Sequence, residues 1–110
     1  MDNCVFCDII NEGVNRNFLY EDERVVAFRD INPQAPFHIL IIPRQHYISI
    51  KEVYQEELIG HLFTVGNRLA EELGVDSFRY VINTGREAGQ SVFHLHLHLL
   101  GGRHLGWPPG

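Results

Sequence analysis

Residues 93–99 alternate without a break: Phe93-His94-Leu95-His96-Leu97-His98-Leu99. Strict alternation is the period of a β-strand, whose successive side chains point to opposite faces. A strand over residues 92–100 is therefore expected, stopped by Gly101-Gly102. Phe93, Leu95, Leu97 and Leu99 should face the core. His94, His96 and His98 should face the other way, each roughly 6 to 7 Å from the next. No packing rule asks for three imidazoles in register. The plain alternative is a strand whose polar face happens to be histidine, and the pattern argues for chemistry instead.

The remainder of the chain must supply a fold for that strand. With 110 residues it is one domain, 1–110. Its 45% apolar and 21% charged residues sit close to the globular average, which excludes a disordered chain, a coiled coil and a collagen-like repeat. Nine Lys and Arg against 14 Asp and Glu leave a net charge of −5, a poor footprint for binding nucleic acid as a polymer. No apolar run approaches a membrane span, and Met1-Asp2-Asn3 does not begin a signal peptide. The expected compartment is the cytoplasm, where Cys4 and Cys7 stay reduced.

Phe6, Ile9 and Ile10 are spaced for one face of a short N-terminal helix. Residues 18–20 and 24–29 read as strands joined by the polar turn Glu21-Asp22-Glu23. Asn32-Pro33-Gln34-Ala35-Pro36 is a stiff connector, because each proline fixes its own φ and restricts its predecessor. Residues 38–42 form an apolar, β-branched run ended by Pro43, a central buried strand. Ser49 and Glu52 suit a capping box. Leu58, Leu62, Val65, Leu69 and Leu73 recur at steps of three or four, predicting a helix over 54–73 with Gly74 as its stop. Residues 78–84 read as a further strand. The fold class is thus α+β: a five-stranded antiparallel sheet with one long and one short helix packed on one face.

Two chemistries fit the histidines. Histidines at i and i+2 can share a metal, as in a metallohydrolase, although the nearest acidic residues, Asp30 and Glu87, lie off this strand. Alternatively, a neutral imidazole attacks phosphorus when an acceptor holds one ring nitrogen as N–H. His96, with a partner on either side, is the natural nucleophile. Just upstream, residues 83–91 form a glycine-bearing loop whose N–H groups could make an anion nest, with Gly89 allowing close approach.

The run His94-Leu95-His96-Leu97-His98-Leu99-Leu100 resembles the motif of the histidine triad nucleotide-binding proteins. Gly89-Gln90-Ser91-Val92 before it, Gly101-Gly102-Arg103 after it and the Trp107-Pro108-Pro109-Gly110 end are similar to the Hint branch. The likeness extends through residues 30–36, His38 and Ile41-Ile42-Pro43, and so covers nearly the whole chain. It implies a homodimer in which two sheets join into one of ten strands. It also implies hydrolysis of purine nucleoside phosphoramidates and related adenylates, with no cofactor for catalysis. His96 then resembles the nucleophile, and His94 the residue whose backbone carbonyl fixes the His96 tautomer. His98 and His38 resemble their neighbours near the phosphate. Asn83, Gly89, Gln90, Ser91 and Val92 resemble the phosphate-binding segment, with Ser91 also near the leaving group. Asp30 resembles the carboxylate that takes the ribose hydroxyls, although an Asp here also suits a turn. Val5, Phe6, Ile9, Phe28 and Ile31 resemble the apolar purine slot, although core packing explains such residues equally well. The ligand that the resemblance implies is an AMP- or GMP-type nucleotide. A dinucleoside polyphosphate hydrolase and a nucleotide-binding scaffold with residual activity are the alternatives.

Cys4-x-x-Cys7 lacks the βαβ frame of a redox pair. It reads either as two inert thiols or as half of a zinc site completed by two histidines. Several bacterial members of the family carry such a zinc, and the resemblance implies a structural Zn²⁺ on Cys4, Cys7, His46 and His94. Many Hint-branch members lack the cysteine pair. His61, on the long helix, is expected to be a surface or edge residue. Trp107 is expected to pack at the dimer interface.

Overall fold

A computed structural model describes residues 4–12 and 17–110. Residues 1–3, read above for a targeting signal, lie outside the described residues. In chain order the elements are helix α1 (Val5–Asn11), strands β1 (Tyr20–Glu21), β2 (Val25–Arg29) and β3 (Phe37–Pro43), helix α2 (Glu56–Glu72), and strands β4 (Phe78–Val81) and β5 (Leu97–Gly101). One sheet holds all five strands in the order β1-β2-β3-β5-β4, every pair antiparallel. The expected fold class is the observed one. Among the described residues no helix is long and apolar enough to cross a membrane.

β3 lies between β2 and β5, and all seven of its residues are buried, as its β-branched run requires. Its register, Ile41 opposite Ala27 and Leu97, Leu40 opposite Phe28 and His98, sets which residues share a face. Val25, Ala27, Ile39, Ile41, Leu97 and Leu99 pack against Leu58, Leu62, Val65 and Leu69 of α2. The intervening residues Val26, Leu40 and Ile42 pack against Cys4 and Phe6 of the α1 region. The two helices therefore sit on opposite faces, a correction to the one-face expectation. The Cys4-x-x-Cys7 turn is held by histidines on the face away from α2, and α1 goes with it.

β5 begins at Leu97, five residues later than the alternation predicts. Two residues beyond Ile41–Leu97 the ladder would set Pro43 opposite Leu95, but Pro43 has no N–H to donate, and Leu95 N–H instead bonds Tyr47 O at 2.7 Å. The alternation survives the loss of the ladder. Leu95 still joins the α2-side core and His94 and His96 are buried. Phe93 is not in that core and lies under the Arg86 guanidinium, 5.1 Å from it. α2 ends at Glu72, one residue before the last of its apolar stripe; Leu73 is its C-cap and 41% exposed, and Gly74 takes the left-handed φ of +74° that stops the helix. Near the expected capping box, Ser49 Oγ accepts from Lys51 N–H and Glu52 accepts from Ile48 N–H, so the box is offset by one residue.

Candidate active site

Between α1 and the sheet lies a cavity of about 720 Å³, within the range of small-molecule sites. Period-2 geometry delivers His38 and Leu40 from β3, Phe28 from β2 and His98 from β5 to its floor, with His96 just upstream. Val5, Phe6 and Ile9 of α1 form one wall, and Asp30, Ile31, Ser91 and Val92 complete the lining among the expected residues. Phe6 stands edge-on to His96, ring centroids 5.1 Å apart, and to Phe28 at 5.9 Å. It is both a core residue and a wall of the site. Ile31, 96% exposed, lies at the rim.

The proton order of the imidazoles follows from their backbone partners. His96 Nδ1 is 2.8 Å from the His94 carbonyl, which can only accept. That nitrogen carries the proton, and Nε2 keeps the lone pair. Gln34 N–H donates to His38 Nδ1 at 3.0 Å, so the His38 proton sits on Nε2 and points to His98 Nδ1, 2.9 Å away. His98 in turn carries its proton on Nε2. That atom is the one buried side-chain nitrogen or oxygen without a partner among the described residues. A buried donor without an acceptor is costly, and one in a cavity wall awaits an acceptor from a ligand. Burial lowers His38, His94 and His96 below the ordinary imidazole range. Burial, with His96 and His38 as neighbours, brings His98 down to about 4. The site therefore presents neutral rings at neutral pH.

Asp30 divides its oxygens. Oδ1 accepts from Asn32 N–H at 2.9 Å, the turn role, while Oδ2 lies 3.5 Å from His38 Nε2. Asp30, His38 and His98 could also be read as metal ligands. However, the 2.9 Å between the two histidine nitrogens is a hydrogen-bond distance, shorter than the roughly 3.3 Å between two nitrogens on one tetrahedral zinc.

Not every expected residue reaches the cavity. Asn83, Gly89 and Gln90 are not in its lining. Gln90 is buried. Its Nε2 donates to Ile48 O and Val92 O, and its Oε1 accepts from Gly85 N–H, so it ties the loop together. Gly89 has φ +97° with Asn83 packed against it. Conversely, Asn17, Leu19, Asn32, Gln34 and Leu40 line the cavity without having been singled out. Leu40 shares strand parity with His38 and was available from period 2 alone. The role of Gln34 rests on its backbone and leaves no trace in residue type.

The second cluster lies behind the first. Cys7 Sγ is 3.3 Å from His46 Nδ1 and 3.6 Å from His94 Nδ1, and Cys4 Sγ is 3.4 Å from His94 Nδ1. All four ligand atoms lie within 4.8 Å of one another. Ligands on a tetrahedral zinc with sulfur and nitrogen donors sit about 3.3 to 3.8 Å apart, so the four could hold a metal ion. His94 Nε2 lies 2.8 Å from Pro43 O, which makes Nε2 the protonated nitrogen and turns the Nδ1 lone pair toward the thiols. His94, 0% exposed, thus faces the cysteines with its ring and His96 with its carbonyl.

The histidine-lined pocket on this sheet defines a protein class, and the family model for the HIT domain matches residues 11–105. The chain belongs to the HIT domain family. It is 46% identical to an uncharacterized HIT-like protein of Synechocystis, over 99% of this chain and 98% of that one. The structure of a HIT family hydrolase from Legionella pneumophila superposes with a TM-score of 0.92 at 43% identity, covering 98% of this chain and all of its own. One from Clostridium thermocellum gives 0.90 at 45% identity, with 96% of each chain covered.

Proposed function

We propose that this chain is a hydrolase that cleaves the phosphorus–nitrogen bond of purine nucleoside phosphoramidates and related adenylates. The observation that carries the reading is the proton order: a lone pair on His96 Nε2, beside an N–H on His98 Nε2 that has no partner. The structures of HIT family hydrolases that resemble it favour the same class.

In the proposed mechanism His96 Nε2 attacks the α-phosphorus in line. A phosphorus–nitrogen bond to His96 forms, and the bond to the leaving amine breaks. The electron pair departs with the amine nitrogen, which takes up a proton from solvent beside Ser91, and the water that attacks in the second step returns one to solvent. The charge that develops on the His96 ring is shared through Nδ1–H with the His94 carbonyl. His98 Nε2–H donates to an equatorial phosphoryl oxygen. Water then displaces His96 and releases the nucleoside monophosphate. Two easier steps replace one hard step. Asp30 Oδ2 is assigned to the ribose hydroxyls, and Val5, Phe6, Ile9, Phe28 and Ile31 to the purine. Asn83, Gly89 and Gln90, set back from the cavity, act by shaping the loop that carries Ser91 and Val92.

The test is intact mass after a brief pulse of an adenosine phosphoramidate. A nucleotidyl adduct is expected on the wild type and none on His96→Ala, whose turnover falls about 10⁴-fold or more. Near-normal turnover by that variant overturns the mechanism. Faster cleavage of a dinucleoside polyphosphate than of the phosphoramidate overturns the substrate assignment.

Cys4, Cys7, His46 and His94 are proposed to hold a structural Zn²⁺, which supplies a cross-link and no catalytic step. Thiolate ligands suit a reducing compartment, here the cytoplasm. Metal analysis of protein purified without chelator should find one zinc per chain. Absence of metal with freely titratable thiols removes the site. A homodimer joined through β4, the longer of the two sheet edges, completes the proposal, and light scattering should give the mass of two chains.

A further inference from the structure

Helix α1 carries two sets of side chains that serve different clusters. Cys4, at its N-cap, and Cys7, in its first turn, meet His46 and His94, while Val5, Phe6 and Ile9 wall the cavity. The helix has seven residues, fewer than the dozen or so that sustain a helix in isolation, and Phe6 is its one buried residue. Its attachment therefore depends on Phe6, with Ile9 and Ile10 partly buried beside it, and on the cysteine–histidine cluster. With thiols alone that cluster offers weak sulfur hydrogen bonds at 3.3 to 3.6 Å.

The same cluster reaches the nucleophile from the other side. Residues 92–96 lie outside the ladder, because β5 starts at Leu97. Their ties include Leu95 N–H to Tyr47 O, His94 Nε2 to Pro43 O, and His94 Nδ1 to the two cysteines. The carbonyl that orients His96 belongs to this segment.

We propose that a metal ion on Cys4, Cys7, His46 and His94 assembles the nucleotide pocket. It clamps α1, which bears one wall of the cavity, to the segment that orients His96. Cys4 and Cys7 are then positioning residues for the site, and metal and nucleotide bind with positive coupling. Coupling between two binding equilibria is reciprocal, so each ligand tightens the other by the same factor. The inference rests on the nucleotide-site and metal-site readings above.

The experiment uses the full chain with zinc and AMP as probes. AMP affinity is measured by calorimetry for zinc-loaded and chelator-stripped protein, and amide exchange is followed in α1. The reciprocal arm needs only loaded, folded protein: zinc is partitioned at equilibrium against a chromophoric chelator, with and without AMP. Loaded protein should bind AMP roughly 5- to 150-fold tighter, AMP should raise zinc affinity by the same factor, and zinc should protect the α1 amides. His46→Asn, which removes one ligand and keeps both cysteines and His94, should at a fixed zinc concentration lose AMP affinity as its zinc occupancy falls, by no more than that factor. Stoichiometric zinc and measurable AMP binding that ignore each other overturn the coupling and leave the proposed hydrolase standing. Failure of zinc to bind overturns the clamp. Failure of AMP to bind either form overturns the nucleotide site and this inference with it.

Discussion

On the α2 side of the sheet, Ile39, Ile41, Leu97 and Leu99 are wholly buried among Leu62, Val65 and Leu69. One residue along the same strands, His38, Leu40 and His98 face a cavity closed by α1. The α2 side holds a long helix and a continuous apolar core. The α1 side has a seven-residue helix, a small apolar cluster, two cysteines and the buried imidazoles. Stability and chemistry are thus separated by one residue of strand register. His98 can keep a buried N–H without a partner because Leu97 and Leu99, its neighbours in sequence, hold the backbone.

The sharpest way to break this contrast is to alter neighbours that face opposite ways. His96→Ala should lose about 10⁴-fold or more in turnover while its unfolding midpoint moves little. Leu97→Ala should do the reverse. It empties a wholly buried position in the larger core and should cost about 2 to 5 kcal/mol in denaturant unfolding, with turnover of the proposed phosphoramidate substrate retained wherever the protein is folded. A Leu97→Ala variant with unchanged stability and lost activity would show that the two faces are not separate.

Acid should act on the α1 face first. The histidines there have folded pKa values below the ordinary imidazole value, so the unfolded chain binds more protons as pH falls and stability falls with it. For His98 the window runs from 6.5, its unfolded value, to about 4, its folded one. This is worth on the order of 2 kcal/mol after allowance for solvent screening. Full stability is present above the window and is lost on descending through it. Denaturant midpoints between pH 7 and pH 4 should show the fall. His98→Leu, which removes the titrating ring and its unpartnered donor, should flatten it.

What could be read in advance follows the same division. The parity of Leu95, Leu97 and Leu99, the α2 stripe and the buried β3 run were legible because each is a local period imposed by one dominant core. The start of β5 was not, because it depends on Pro43 meeting the ladder from a distant strand. Nor was the face chosen by α1, which rests on Cys4 and Cys7 meeting histidines 39 to 90 residues away. Within the site, His38, His96, His98, Asp30 and Phe6 were legible as residue types. Gln34 was not, since its contribution is a backbone N–H. The withdrawn position of Asn83 and Gly89 depends on a loop conformation that their residue types do not reveal.

His61 supplies the smallest and most specific test. Expected to be a surface or edge residue, it is half-buried, and its Nε2 lies 2.6 Å from Asp22 Oδ2. Asp22 also accepts from Tyr20 OH at 2.7 Å and from the N–H groups of Arg24 and Val25. Burial alone would raise the Asp22 carboxyl, but these hydrogen bonds outweigh it and hold the group well below the usual carboxylate range. The stability they contribute is lost only in strong acid, below the histidine window. The pair joins α2 to the β1–β2 turn, away from the cavity, so its role is structural. His61→Ala removes one of four donors from a partly exposed carboxylate and should cost about 0.5 to 1 kcal/mol, with AMP affinity unchanged. A several-fold loss of AMP affinity would mean that the α2 face reaches the site after all, and the separation of the two faces would have to be abandoned.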